Sequence, residues 1–103
     1  MESSLNSDEA GTQQEQGNDI LLKALQLKSA EDIPKIEQDV AKRVIVILRV
    51  TPLAQKNVEE LKGAVEQLYE FATSIGGDIA RLGEERIVIT PPGVRIWRGS
   101  LSS

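Results

Sequence analysis

The chain has 103 residues, a formal net charge of −4, and neither cysteine nor histidine. That length holds one domain. The missing residue types exclude a disulfide framework, thiol chemistry, and the commonest general base and metal ligand.

The first segment carries the acidity. Residues 1–19 hold Glu2, Asp8, Glu9, Glu15 and Asp19 with no Lys or Arg, which leaves eleven acids against twelve bases in the rest of the chain. The segment is rich in Ser, Gln, Asn and Gly, so it has too little apolar surface to offset its ordering entropy. It is expected to be a disordered acidic linker. The folded domain is expected over residues 20–98, with a frayed C-terminus over 99–103. No start resembling a signal peptide is present, nor any apolar run of about 18 residues, so a cytoplasmic protein is expected.

From Ile20 to Lys28, Leu21, Leu25 and Leu27 alternate at period two, which suits a half-buried strand, a short helix being the competing reading. Ser29 and Asp32 resemble a capping box. Ile33, Ile36 and Val40 then fall at helical spacing across Ala30 to Lys42, with Pro34 early enough to be tolerated. Arg43 to Val50 contains an unbroken aliphatic run from Val44 to Leu48, a strand expected to be buried on both faces. Thr51-Pro52 ends it.

Asn57 can cap a long helix running to about Ile75. Val58, Leu61, Val65, Leu68, Ala72 and Ile75 make an amphipathic stripe, with Tyr69 on one shoulder and Phe71 and Ala64 on the other. Gly76-Gly77 is a left-handed stop. Three short strands are expected next: Asp78 to Leu82, Arg86 to Thr90, and Val94 to Arg98. The connections are Gly83-Glu84-Glu85 and Pro91-Pro92-Gly93.

The expected order is β-α-β-α-β-β-β, an α/β (α+β) two-layer sandwich with a mixed sheet of about five strands and two helices. Two helices on one face leave the other face bare. A wide apolar sheet face needs a cover, and a symmetric copy is the usual one. Val44, Val46, Leu48, Val88 and Trp97 are therefore expected to contribute to a dimer.

Candidates for chemistry are few. Glu59-Glu60 and Glu84-Glu85 point to different sides and read as solvated charge. Gly76-Gly77 precedes a strand, so it offers no helix N-terminal amides to a phosphate. No catalytic triad, metal set or nucleotide loop emerges, and no cofactor is implied. The expectation is a binding module and not an enzyme. Aromatic residues are 3% of the chain, which is poor for base stacking. With no basic patch, a nucleic-acid partner is not expected. A small dimeric ligand-sensing αβ domain is the alternative reading. Phe71 either completes the core or forms an exposed apolar anchor beside Leu68 and Tyr69.

The run Ile75-Gly76-Gly77-Asp78-Ile79-Ala80-Arg81-Leu82-Gly83, followed by Arg86-Ile87-Val88-Ile89-Thr90-Pro91-Pro92-Gly93-Val94, resembles the SepF family of cell-division proteins. The likeness extends over about Leu22 to Ile96 and is closer to archaeal than to bacterial members. It implies a dimeric αβ sandwich, polymerising in bacteria, that binds the C-terminal peptide of FtsZ and links the division ring to the membrane. By the same resemblance, Gly76 and Gly77 lie at a turn involved in assembly. The peptide is expected near Val65, Leu68, Tyr69, Phe71, Ala72, Ile75 and Arg81. The family normally begins with an amphipathic helix that enters the membrane interface. Residues 1–19 carry no apolar face, so membrane association is expected only through a segment not evident in this chain.

Overall fold

The alternation of strand and helix is realised over residues 19–98, the part of the chain that the computed structural model describes. The expectations for a linker over residues 1–18 and for a frayed end over 99–103 lie outside the described residues.

Strand β1 (Leu21–Gln26) runs parallel to β2 (Val44–Arg49), in a register from Leu21 opposite Val44 to Gln26 opposite Arg49. A parallel pair needs a crossover. Here it is a 3-10 turn (Ala30–Asp32) leading into helix α1 (Ile33–Ala41). The Ser29–Asp32 capping box forms: the Ser29 hydroxyl accepts the Glu31 amide at 3.1 Å, and the Asp32 carboxylate accepts the amides of Lys28 at 2.8 Å and Ser29 at 3.2 Å. Ile33, Ile36 and Val40 make the single buried stripe of α1.

The sequence after β2 departs from expectation. Thr51-Pro52 does more than stop the strand: it begins a short helix α2 (Thr51–Lys56), with Pro52 in the first turn, where its missing amide costs nothing. The Leu53 amide donates to the Leu27 carbonyl at 3.1 Å and its side chain is fully buried, which ties α2 to the end of β1. Helix α3 (Val58–Ser74) follows, capped by the Asn57 side chain accepting the Glu60 amide at 3.0 Å. It buries Ala64, Leu68 and Ala72. Three helices are therefore present among the described residues, one more than expected.

Strands β3 (Asp78–Leu82) and β4 (Arg86–Thr90) form an antiparallel pair, and β4 also runs antiparallel to β2. The sheet has four strands in the order β1-β2-β4-β3. The expected fifth strand, Val94 to Arg98, is irregular. Side-chain bonds to Asp78 hold it in place of a backbone ladder. The Asp78 carboxylate accepts the Ile96 amide at 2.9 Å and the Arg98 guanidinium at 2.9 and 3.2 Å. Arg98 also donates to the Ile79 carbonyl at 2.8 Å, and the Thr90 hydroxyl donates to the Val94 carbonyl at 2.5 Å. The Arg98 guanidinium first, then the Ile96 amide, hold the Asp78 carboxyl well below the usual carboxylate range against the opposing effect of burial.

Strand β2 is not buried equally on both faces. Val44, Val46 and Leu48 point beneath the helices into the core, whereas Ile45 and Ile47 point to the other face and are half-buried. Ile87, Ile89 and Ile79 complete the core from β4 and β3. The two-layer arrangement therefore stands, with the helices against one sheet face.

Two glycines close the corner between α3 and β3. Gly76 has φ of +77°, with open space where a Cβ would stand. A Cβ on Gly77 would fall 2.2 Å from the Thr90 carbonyl oxygen, a backbone atom that cannot swing away. Gly77→Ala is expected to destabilise the fold by about 1–3 kcal/mol through forced backbone displacement. Gly76→Ala should cost about 1–2 kcal/mol through the left-handed conformation alone. Chemical denaturation of the two variants measures both, and a shift of the Thr90 amide resonance in Gly77→Ala alone identifies the clash.

The depressed Asp78 pKa sets an acid dependence. Its contribution is complete above the unfolded-state value of about 3.9 and is lost as pH falls below it towards the folded-state value. Denaturation followed from pH 5 down to about pH 2 should show a shallower loss of stability in Asp78→Asn than in the parent chain.

Candidate functional site

The apolar stripe of α3 is largely consumed by the sheet beneath it. Leu68 and Ala72 are fully buried, and so cannot meet a partner as was expected of them. Phe71 and Ile75 pack partly against the same core. The shoulder of the helix that remains open carries Val65, half-buried, and Tyr69, 58% exposed.

Strand register decides what faces this shoulder. Ile79 opposes Ile89 and Arg81 opposes Ile87, both core residues of β4, so Ile79 and Arg81 lie on the helix side of β3. Ile79 is covered, whereas Arg81, one step further towards the turn, is exposed. Between α3 and β3 runs a groove of about 750 Å³. Leu61, Val65 and Tyr69 supply its apolar surface, and Lys62, Glu66, Glu70 and Arg81 its charges. A smaller recess of about 70 Å³, lined by Ile79, Ala80 and Ile87, shares Val65, Tyr69 and Arg81 with it. The Arg81 guanidinium donates to the Glu84 carbonyl at 3.2 Å, and among the described residues it pairs with no carboxylate.

Three of the seven expected partner residues thus converge on one groove: Val65, Tyr69 and Arg81. Leu61, Lys62, Glu66 and Glu70 belong to it as well. Leu61 was visible as part of the helical stripe. Lys62, Glu66 and Glu70 share a steady spacing of four, the signature of one flank of a helix, but solvated flanks look the same in sequence. The groove suits an extended or helical apolar segment with an anionic group for Arg81. It offers no paired acid and base, and among the described residues no three metal-ligating side chains gather.

The opposite sheet face is a second surface. Leu22 (66% exposed), Ala24, Ile45, Ile47, Ala80, Val88 and Leu82 share this face by register, and no helix of the described residues covers it. Val88 lies on it as expected. Val44, Val46 and Leu48 do not, because their side chains fill the monomer's core. Trp97 projects from the irregular C-terminal segment and is 84% exposed. No helix among the described residues is long and apolar enough to cross a membrane.

Solved structures share this fold. The SepF-like protein from Archaeoglobus fulgidus superimposes with a TM-score of 0.73 at 21% identity, over 82% of this chain and 100% of that one. The SepF-like protein from Pyrococcus furiosus gives 0.71 at 27% identity, over 80% and 99%. Cell division protein SepF from Methanobrevibacter smithii, solved in complex with FtsZ-CTD, gives 0.67 at 23% identity, over 76% and 98%. No curated protein matches the chain. The sequence profile described as Cell division protein SepF matches residues 22–96, from the first strand to the segment held by Asp78. The chain belongs to the SepF family of cell division proteins.

Proposed function

We propose that the chain is a cell-division adaptor that binds the C-terminal tail of FtsZ in the groove between α3 and β3. The observation that carries this reading is the pairing of an apolar surface (Leu61, Val65, Tyr69) with Arg81, which among the described residues has no carboxylate partner. A short peptide with apolar side chains and a carboxylate satisfies both at once. The Methanobrevibacter smithii relative shares the fold and was solved with FtsZ-CTD, which supports the partner's identity. Tyr69 is the natural anchor, since it presents a large apolar face at low conformational cost. Phe71, Ile75, Leu68 and Ala72 support the groove from the core side.

The adaptor works as a symmetric dimer at the division site, joined through the uncovered sheet face. Ile45, Ile47 and Val88 form the centre of that interface, with Leu22 and Leu82 towards its edges. Apolar area of this kind is stabilised when a self-complementary copy removes it from water. Gly76 and Gly77 act on assembly indirectly, by fixing the corner that positions β3. Trp97 extends the interface from its margin.

Calorimetry with an FtsZ C-terminal peptide tests the groove. Tyr69→Ala and Arg81→Glu are each expected to weaken binding about tenfold or more, equivalent to about 1.4 kcal/mol or more. Unchanged affinity in both variants rules the groove out. Sedimentation tests the dimer separately. The parent should have the mass of two chains, and Ile47→Asp the mass of one with its peptide affinity retained. A monomeric parent rejects the sheet-face dimer.

A further inference from the structure

The sheet order β1-β2-β4-β3 leaves β3 with one edge that no strand of the described residues covers. Such an edge presents the N–H and C=O groups of alternate residues outward. At Ile79 side chains take both groups. The Asp78 carboxylate accepts the Ile79 amide at 2.9 Å, and the Arg98 guanidinium donates to the Ile79 carbonyl at 2.8 Å. The backbone of Ile79 therefore faces away from β4, and alternation along the strand gives Arg81 the same direction. Nothing comparable closes the edge at Arg81. Among the described residues, neither a side chain nor a backbone group outside the sheet pairs with its N–H or C=O.

This open position adjoins the groove. Arg81 lines both the groove and the smaller recess, in each case with Val65 and Tyr69 of α3. Ala80 also lines the recess, although by register its side chain lies on the opposite sheet face. What β3 offers there is backbone. An apolar helix flank on one side and an unpaired strand edge on the other suit a peptide held by its main chain, with alternate side chains seated in the groove. A helical peptide would satisfy its own main chain and leave the Arg81 N–H and C=O to water.

We propose that the FtsZ tail binds in extended form, as a short strand added to the edge of β3, one of its residues exchanging both main-chain hydrogen bonds with Arg81. The inference rests on the groove reading above and adds the conformation and register of the bound tail. The next outward position, Ile79, is occupied by Asp78 and Arg98, so the added strand ends before it. The Arg81 side chain, on the helix side of β3, stays free to meet a carboxylate of the same peptide.

Amide hydrogen exchange in the full chain, with and without a saturating FtsZ C-terminal peptide, reads the main chain directly. The Arg81 amide should exchange about tenfold or more slowly in the complex, whereas the Ile79 amide, already bonded to Asp78, should change little. Calorimetry with peptides in which one amide at a time is replaced by an ester removes a donor and no side chain. One ester should weaken binding about tenfold. In Arg98→Ala, which frees the Ile79 carbonyl, a second position two residues from the first should become sensitive, and an unchanged pattern there overturns the register. Binding that depends on Tyr69 and Arg81 but leaves the Arg81 amide unprotected, or tolerates every ester, overturns the added strand and leaves the groove standing. Affinity unchanged in both Tyr69→Ala and Arg81→Glu overturns the groove and the added strand together.

Discussion

Val46 in the middle of β2 is fully buried, with Ile89 of β4 opposite it and Ile79 of β3 opposite Ile89 in turn. This row of three aliphatic side chains runs across the sheet beneath α1 and α3. Burying each stabilises the fold by about 1.5–3 kcal/mol relative to exposure. Leu48 and Ile87 make a second row beside it. Because strand side chains alternate strictly between faces, placing these residues under the helices sends Ile45, Ile47 and Val88 to the other side. The two open surfaces follow from that constraint. The helices have one face to cover, and what they leave over becomes the groove at one margin and an apolar sheet face behind.

The groove depends further on how β3 is delivered to the sheet edge. Gly76 turns the chain with a positive φ, and Gly77 lets it pass the Thr90 carbonyl more closely than a side chain would allow. Asp78 then engages Arg98 and the Ile96 amide, so that the last described segment is strapped to the corner. Arg81 lies three residues beyond Asp78. Its place opposite the open shoulder of α3 is therefore set by the same corner. The turn at the glycine pair and the position of Arg81 are two consequences of one local geometry.

Charge divides the molecule along a different line from hydrophobicity. The apolar rows run across the sheet's centre, whereas Lys28, Arg49 and Arg86 collect where β1, β2 and β4 meet the turns. The groove between α3 and β3 mixes both signs around its apolar surface.

Local rules were enough for much of this. Asn57 and Ser29 accept the amides that their positions predicted, and the stripe of α1 buries all three residues that recur at helical spacing, whereas that of α3 buries Leu68 and Ala72 fully and leaves Val58 exposed. The resemblance around the glycine pair identified the family from residues that tertiary contacts alone explain. Three things were not legible. The helix at Thr51–Lys56 was hidden because Thr-Pro reads equally as a strand stop and as a helix start. The last strand failed because alternation in Val94 to Arg98 does not reveal that Asp78 captures the Ile96 amide. The site residues were only partly found: a continuous aliphatic strand such as Val44 to Leu48, or a broad stripe such as that of α3, looks the same whether a residue meets its own core or a partner. Sequence by itself determined the order of the main elements, the helix caps, the acidic bias of residues 1–19 and the family, since these depend on neighbours a few residues apart or on the pattern of types. Only the tertiary structure decided which face of β2 is covered, and that Arg81 rather than Phe71 shares a groove with Tyr69. Those outcomes depend on strand register and helix placement, which are set by contacts between residues far apart in the chain.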